Sequence, residues 1–91
     1  MNKGSDIWLV YMIRCSDGTL YTGITKDIEK RIEAHNSGKN GARYTRSRRP
    51  VTLVYAEQVE SKSTAARLEH QIKRLSRSKK EKMITEKKND T

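Results

Sequence analysis

Residues 7–15, IWLVYMIRC, are a continuous, largely apolar segment rich in β-forming side chains, and they read as a central strand. Ser16-Asp17-Gly18 then supplies turn chemistry, and residues 19–24, TLYTGI, supply a second short strand. The two form a β-hairpin, and its loop length decides what the hairpin presents. A two-residue Asp17-Gly18 turn would pair Tyr11 with Ile24 and Tyr21 with Arg14, which sends the two tyrosines to opposite faces. A three-residue loop, Ser16 to Gly18, pairs Tyr11 with Gly23 and Ile13 with Tyr21, so both tyrosines share a face. Glycine as the third loop residue suits the left-handed bulge of that hairpin type. A site built from both tyrosines therefore predicts the three-residue loop, with Gly23 leaving space beside Tyr11 for a phosphate or a water.

The rest of the chain continues the pattern. Residues 26–36 read as a helix with Ile28, Ile32 and His35 on one side, and Gly38 is placed to cap its end. A loop from Ser37 to Pro50 follows, and it contains no acidic residue. Residues 51–59, VTLVYAEQV, read as a third strand, entered through Pro50. Ser61 to Ser63 offer caps for a helix from Thr64 to Leu75, whose stripe is Ala65, Leu68, Ile72 and Leu75. A short last helix is expected from Lys79 to Ile84. The expected fold is α+β: a β-β-α-β-α order with a small, mostly antiparallel three-stranded sheet flanked by helices. Residues 7–84 form the single domain, with flexible ends at 1–6 and 85–91.

At 91 residues the chain has room for one core and not for two. Twenty Lys and Arg against eleven Asp and Glu give a formal net charge of +9, a profile that attracts polyanions. Nucleic acid is the partner this charge favours. A membrane partner would need an apolar span, a lipidation signal or an apolar face, and no such span or signal is present. Met1 to Ser5 carry no signal-peptide stretch, so a cytoplasmic protein is expected. The lone Cys15 rules out an internal disulfide and reads as a small strand residue. Lys39, Arg43, Tyr44, Arg46, Arg48 and Arg49 in the loop, with Lys73 on the later helix, are the candidates for nucleic-acid contact. A merely solvated loop is the alternative.

Tyr11 in Val10-Tyr11-Met12 and Tyr21 in Tyr21-Thr22-Gly23 lie ten residues apart. They are followed by the helix stretch Lys30 to Gly38 with Arg31 and His35, and much later by Glu69 in Arg67-Leu68-Glu69-His70. In this order and spacing the chain resembles the GIY-YIG nuclease superfamily, and in particular its small stand-alone bacterial members, over residues 7 to about 84. Val10 and Met12 stand where the name motif has Gly and Ile. Ile24 follows the motif glycine where some repair nucleases of the superfamily have lysine, so no lysine role carries over.

The resemblance implies a phosphodiester hydrolase working by in-line attack of water, acting on DNA, with DNA repair suggested by relatives. Tyr11 would be the general base, helped by His35. Tyr21 would orient water or a phosphate oxygen, and Arg31 would stabilise charge developing on phosphate. Glu69 would hold one divalent ion, Mg²⁺ or Mn²⁺. No small-molecule cofactor is implied, and a monomer is favoured. Each residue also has a structural reading. The tyrosines can be ordinary sheet residues, Arg31 a surface residue, His35 a partner of the helix C-terminal dipole, and Glu69 an i,i+4 partner of Lys73. Trp8 reads as core and His70 as surface. Three functional readings follow: an endonuclease, a non-cutting nucleic-acid-binding module of the same fold, and a protein-interaction domain whose charge serves only solubility.

Overall fold

The first strand, β1 (Trp8–Arg14), is the middle of a three-stranded sheet of order β2-β1-β3. In the computed structural model, which describes residues 7–37 and 42–89, β2 (Leu20–Thr25) and β3 (Thr52–Val59) both pair antiparallel to β1. Three helices complete the chain: α1 (Ile28–Ser37) between β2 and β3, then α2 (Lys62–Lys73) and α3 (Arg77–Asn89). The α+β architecture and element order match the expectation. Lys39, Gly38, Gly41 and the segment 1–6 lie outside the described residues, as do residues 90–91.

The hairpin adopts the three-residue loop. Tyr11 pairs with Gly23 and Ile13 with Tyr21, and the Cys15 N–H donates to the Thr19 carbonyl at 2.8 Å. Gly18 sits at φ 86°, the left-handed region that a side chain resists. Asp17 accepts from the Thr19 N–H at 3.1 Å and its hydroxyl at 2.6 Å, which fixes the turn.

Alternation along β1 feeds two core layers. Val10 and Met12 pack with Tyr55, Ala65, Ile72 and Ile84, under α2 and α3. Tyr11, Ile13 and Cys15 pack with Val51, Tyr21, Ile28 and Ile32, under α1. A bulge in β3 serves both layers: Tyr55 pairs with Met12 but Leu53 pairs with Ile13, so Val54 is the extra residue. Residues 53 and 55 would share a face in a regular strand. The bulge sends Tyr55 to the α2/α3 layer and leaves Leu53 on the α1 side.

Ser61 caps α2, its hydroxyl accepting from the Thr64 N–H at 3.1 Å; of the expected stripe Ala65 and Ile72 are buried and Leu68 partly so, while Leu75 lies past the helix end at Lys73. The last helix departs from the expectation. It starts at Arg77 and runs to Asn89, so residues 85–89, expected in a tail, are helical. Arg14 joins α3 to the sheet through a bidentate pair with Glu81, at 2.8 Å for each contact. Among the described residues no helix is long and apolar enough to cross a membrane.

Candidate active site

The shared face of the hairpin carries a closed set of polar groups. The Tyr11 ring is almost wholly buried and lies over Gly23: a Cβ built on that glycine would be 2.6 Å from the Tyr11 hydroxyl oxygen. The space expected there for a phosphate or water is thus filled by the tyrosine itself. The absence of a side chain at position 23 is what lets the ring lie flat on β2 and point its hydroxyl toward α1.

On α1, Arg31 and His35 are one turn apart and both reach that hydroxyl. His35 Nε2 is 2.9 Å from it and Arg31 Nε is 3.4 Å away. His35 is fully buried, beyond what a surface partner of the helix dipole would show. Its other nitrogen, Nδ1, is 2.8 Å from Thr45 Oγ1, and that hydroxyl in turn donates to the Ala42 carbonyl at 3.0 Å. A threonine hydroxyl has one proton. With that proton on Ala42, Thr45 must accept from Nδ1–H, which leaves Nε2 as a lone pair facing Tyr11. The Tyr11 hydroxyl therefore donates to His35 and accepts from Arg31. Burial, and then the Arg31 charge, lower the His35 pKa to about 4, in keeping with a neutral ring that accepts. Burial raises the Tyr11 pKa above its ordinary 10.0, while Arg31 opposes the rise and Glu69 adds to it.

Tyr21 shares this site through its ring, whose centroid is 5.3 Å from that of His35 in an edge contact. It also stacks on Tyr44, with centroids 5.9 Å apart and planes at 21°. Glu69 is on α2, the helix whose Ala65 and Ile72 pack on the Val10/Met12 layer, and its charge adds to the rise in the Tyr11 pKa. It pairs with Lys73 at 3.1 Å, the i,i+4 contact its spacing allowed. Among the described residues no three His, Cys, Asp or Glu side chains cluster as a metal cage would need. A lone carboxylate suits a hydrated Mg²⁺ that keeps most of its waters and shares a substrate phosphate.

The basic loop splits into two kinds of arginine. Arg48 is a strut: its Nε bonds Asp17 at 3.0 Å, its Nη1 bonds the Tyr44 carbonyl at 2.8 Å, and its guanidinium lies 4.1 Å from the Tyr44 ring centroid. Arg49 bonds the carbonyls of Arg46 and Asn36, at 2.8 and 3.2 Å. Arg43 and Arg46 have exposed side chains. Asn36 closes the loop by a reciprocal pair with Val51, at 2.7 and 3.2 Å. Neither Thr45 nor Asn36 was legible as a site residue, because their partners lie across the loop. Trp8 is half-buried against the core, with the ammonium groups of Lys26 and Lys62 at 5.7 and 5.5 Å from its ring. His70 is exposed.

A three-stranded sheet whose hairpin carries two tyrosines, with an arginine and a histidine one turn apart on the next helix, defines a class of nuclease-type domain. The family model described as the GIY-YIG catalytic domain matches residues 7–82, and the chain belongs to this family. It is 56% identical over 77 residues to a UPF0213 protein of Staphylococcus saprophyticus, covering 85% of this chain and 93% of the relative. A UPF0213 protein of Desulfotalea psychrophila is 54% identical over 77 residues, covering 85% of this chain and 70% of the relative. Among solved structures, the solution structure of a UPF0213 protein from Bacillus halodurans aligns with TM-score 0.56 at 46% identity, over 87% of this chain and 83% of that one. A nuclease-type function in general follows from the family.

Proposed function

We propose that this protein is a divalent-metal-dependent endonuclease that hydrolyses phosphodiester bonds in DNA. The observation that carries the reading is the set of contacts around Tyr11: its hydroxyl lies 2.9 Å from His35 Nε2 and accepts from Arg31 Nε at 3.4 Å, so that with the His35 proton on Nδ1 the hydroxyl donates to a neutral imidazole. A water held beside the Tyr11 oxygen can give up its proton to that oxygen while the tyrosine's own proton passes to His35 Nε2. The net change is one proton moved from water to imidazole, and the phenol is restored. A phosphate bound at Arg31 offsets the guanidinium charge that helps to hold His35 neutral, so substrate makes the histidine a better base. Arg31 also faces the charge that develops on phosphate. Tyr21 packs the edge of its ring against His35 and would orient a phosphate oxygen or the water. Glu69 would hold the ion, which would supply charge neutralisation at the phosphate and leaving oxygen. The exposed Arg43 and Arg46, with Lys39 and Lys73, would follow the backbone, whereas Arg48 and Arg49 shape the loop.

A panel of duplex, nicked, single-stranded and branched DNA plus structured RNA, each with Mg²⁺ or Mn²⁺, tests the reading. Cutting of DNA by the wild type, lost in both Tyr11→Phe and Glu69→Gln, supports it. One observation favours the non-cutting module of the same fold: Tyr11 is 1% exposed and its acidity is weakened by burial. Tight binding without cutting under either metal would make that module the better account.

A further inference from the structure

We infer that Thr45, in the basic loop, is the positioning residue that sets the tautomer of His35 and so aims a lone pair, not a proton, at Tyr11. The inference rests on the nuclease reading for its purpose but on the loop's own geometry for its content. Thr45 is fully buried although the residues on either side of it, Tyr44 and Arg46, are exposed. Its backbone N–H and its hydroxyl both point at the Ala42 carbonyl, at 3.2 and 3.0 Å. This double contact spends the hydroxyl proton within the turn. What remains toward His35 is an acceptor, 2.8 Å from Nδ1.

The opposite arrangement is self-defeating. If Nε2 carried the proton, Thr45 would have to swing its hydroxyl hydrogen from the Ala42 carbonyl to Nδ1, giving up the 3.0 Å contact within the turn. Nε2–H would then donate to Tyr11, and the tyrosine would have no base for its proton. Arg31 already donates to the same oxygen, so the Tyr11 hydroxyl would lose its acceptor altogether. A single hydroxyl therefore decides the direction of three successive hydrogen bonds. It sits in the same short turn as the exposed arginines Arg43 and Arg46, so the segment that would meet the phosphate backbone also carries the clamp on the base.

Nothing in this role requires Thr45 to touch substrate, and its loss should appear in turnover rather than in binding. Among the described residues, the side chains that face His35 include Tyr11, Tyr21, Arg31 and Thr45. Of these, Thr45 is the one whose proton is held by backbone, and so the one whose polarity does not change when the others exchange protons.

The test is ¹⁵N-resolved imidazole spectroscopy of the full chain, with Thr45→Val, Thr45→Ala and Thr45→Ser beside the wild type. The wild type and Thr45→Ser are expected to show His35 with its proton on Nδ1. The valine and alanine variants should shift His35 toward the Nε2–H form. On a substrate that the wild type cuts, they should lose roughly 10- to 100-fold in kcat with KM within about threefold, while Thr45→Ser stays within about threefold of wild type. The alanine variant decides the matter if valine is too bulky in its β-branch to fold. A wild-type His35 protonated on Nε2, or an unchanged tautomer in both hydroxyl-free variants, would overturn the inference. If the wild type cuts no substrate, the nuclease reading fails on its own, and the tautomer comparison still decides this one.

Discussion

Gly23 shows how one missing methyl group can place a reactive side chain. An alanine there would bring its Cβ to 2.6 Å from the Tyr11 oxygen and 2.8 Å from Cζ, far inside contact distance. The ring is the distal part of a side chain, but it has nowhere to go: it is buried, and its hydroxyl is tied to His35 and Arg31. Gly23→Ala should therefore cost about 1–3 kcal/mol of stability and break the Tyr11–His35 bond, to be read by thermal unfolding and by the His35 imidazole resonances. The residue before it makes the opposite prediction. Among the described residues the Thr22 hydroxyl, buried on the α2 side of the same strand, has no hydrogen-bond partner. Thr22→Val keeps the shape and removes an unpaired polar group, so it should leave stability unchanged or raise it by up to about 1 kcal/mol. A marked loss of stability in denaturant titration would mean that the hydroxyl has a partner in solution.

At the scale of elements, the basic loop has two jobs done by different arginines. Arg48 joins the loop to the hairpin turn through Asp17, and its own carbonyl accepts from the Ser16 N–H at 2.9 Å. Arg48→Ala should loosen the loop, costing roughly 1 kcal/mol, or about 4–8 °C in Tm for a domain this small. Arg43→Ala and Arg46→Ala should leave Tm unchanged. Each should instead make the salt dependence of nucleic-acid affinity shallower by about one unit of log–log slope. Unfolding scans and salt titrations on the three variants separate these outcomes. The division was not legible in the sequence, where all the loop arginines look alike. Arg48 and Arg49 differ from their neighbours by partners that are mostly backbone carbonyls, which composition does not encode. The hairpin was legible because strand alternation has a period of two, and one choice of loop length puts both tyrosines on one side. His35 could be placed beside Ile28 and Ile32 by helical period, but its full burial depends on a threonine from across the loop. The length of α3 was missed for another reason. After Ile84 the apolar pattern stops, while Lys and Glu remain good helix formers, so the helix outlasts its own packing stripe.

At the scale of the molecule, acid is expected to be the main threat to this fold. A net charge of +9 already repels itself, and lowering the pH adds to it. Two groups give the response its shape. Glu81 is held down to about 2 from its ordinary 4.5 by hydrogen bonds from Arg14 and then Arg77. Its contribution is present above pH 4.5 and is lost as the pH falls through the lower value, so it matters only in strong acid. His35 acts earlier. Its pKa falls from 6.5 to about 4 in the native chain, so within that window the unfolded chain holds a proton that the native one refuses. Stability therefore declines as the pH drops from 6.5 toward 4, by up to about 3 kcal/mol if the histidine carries the full shift. Denaturant midpoints at pH 7, 5.5 and 4.5 should fall for the wild type. They should fall less for His35→Gln, which has nothing to protonate at that position. If the two proteins lose stability in parallel, the acid response belongs to overall charge, and His35 must find room or solvent for a second proton. That same room would let Tyr11 discharge its proton more easily, so the stability curve also bears on how strong a base the site can offer.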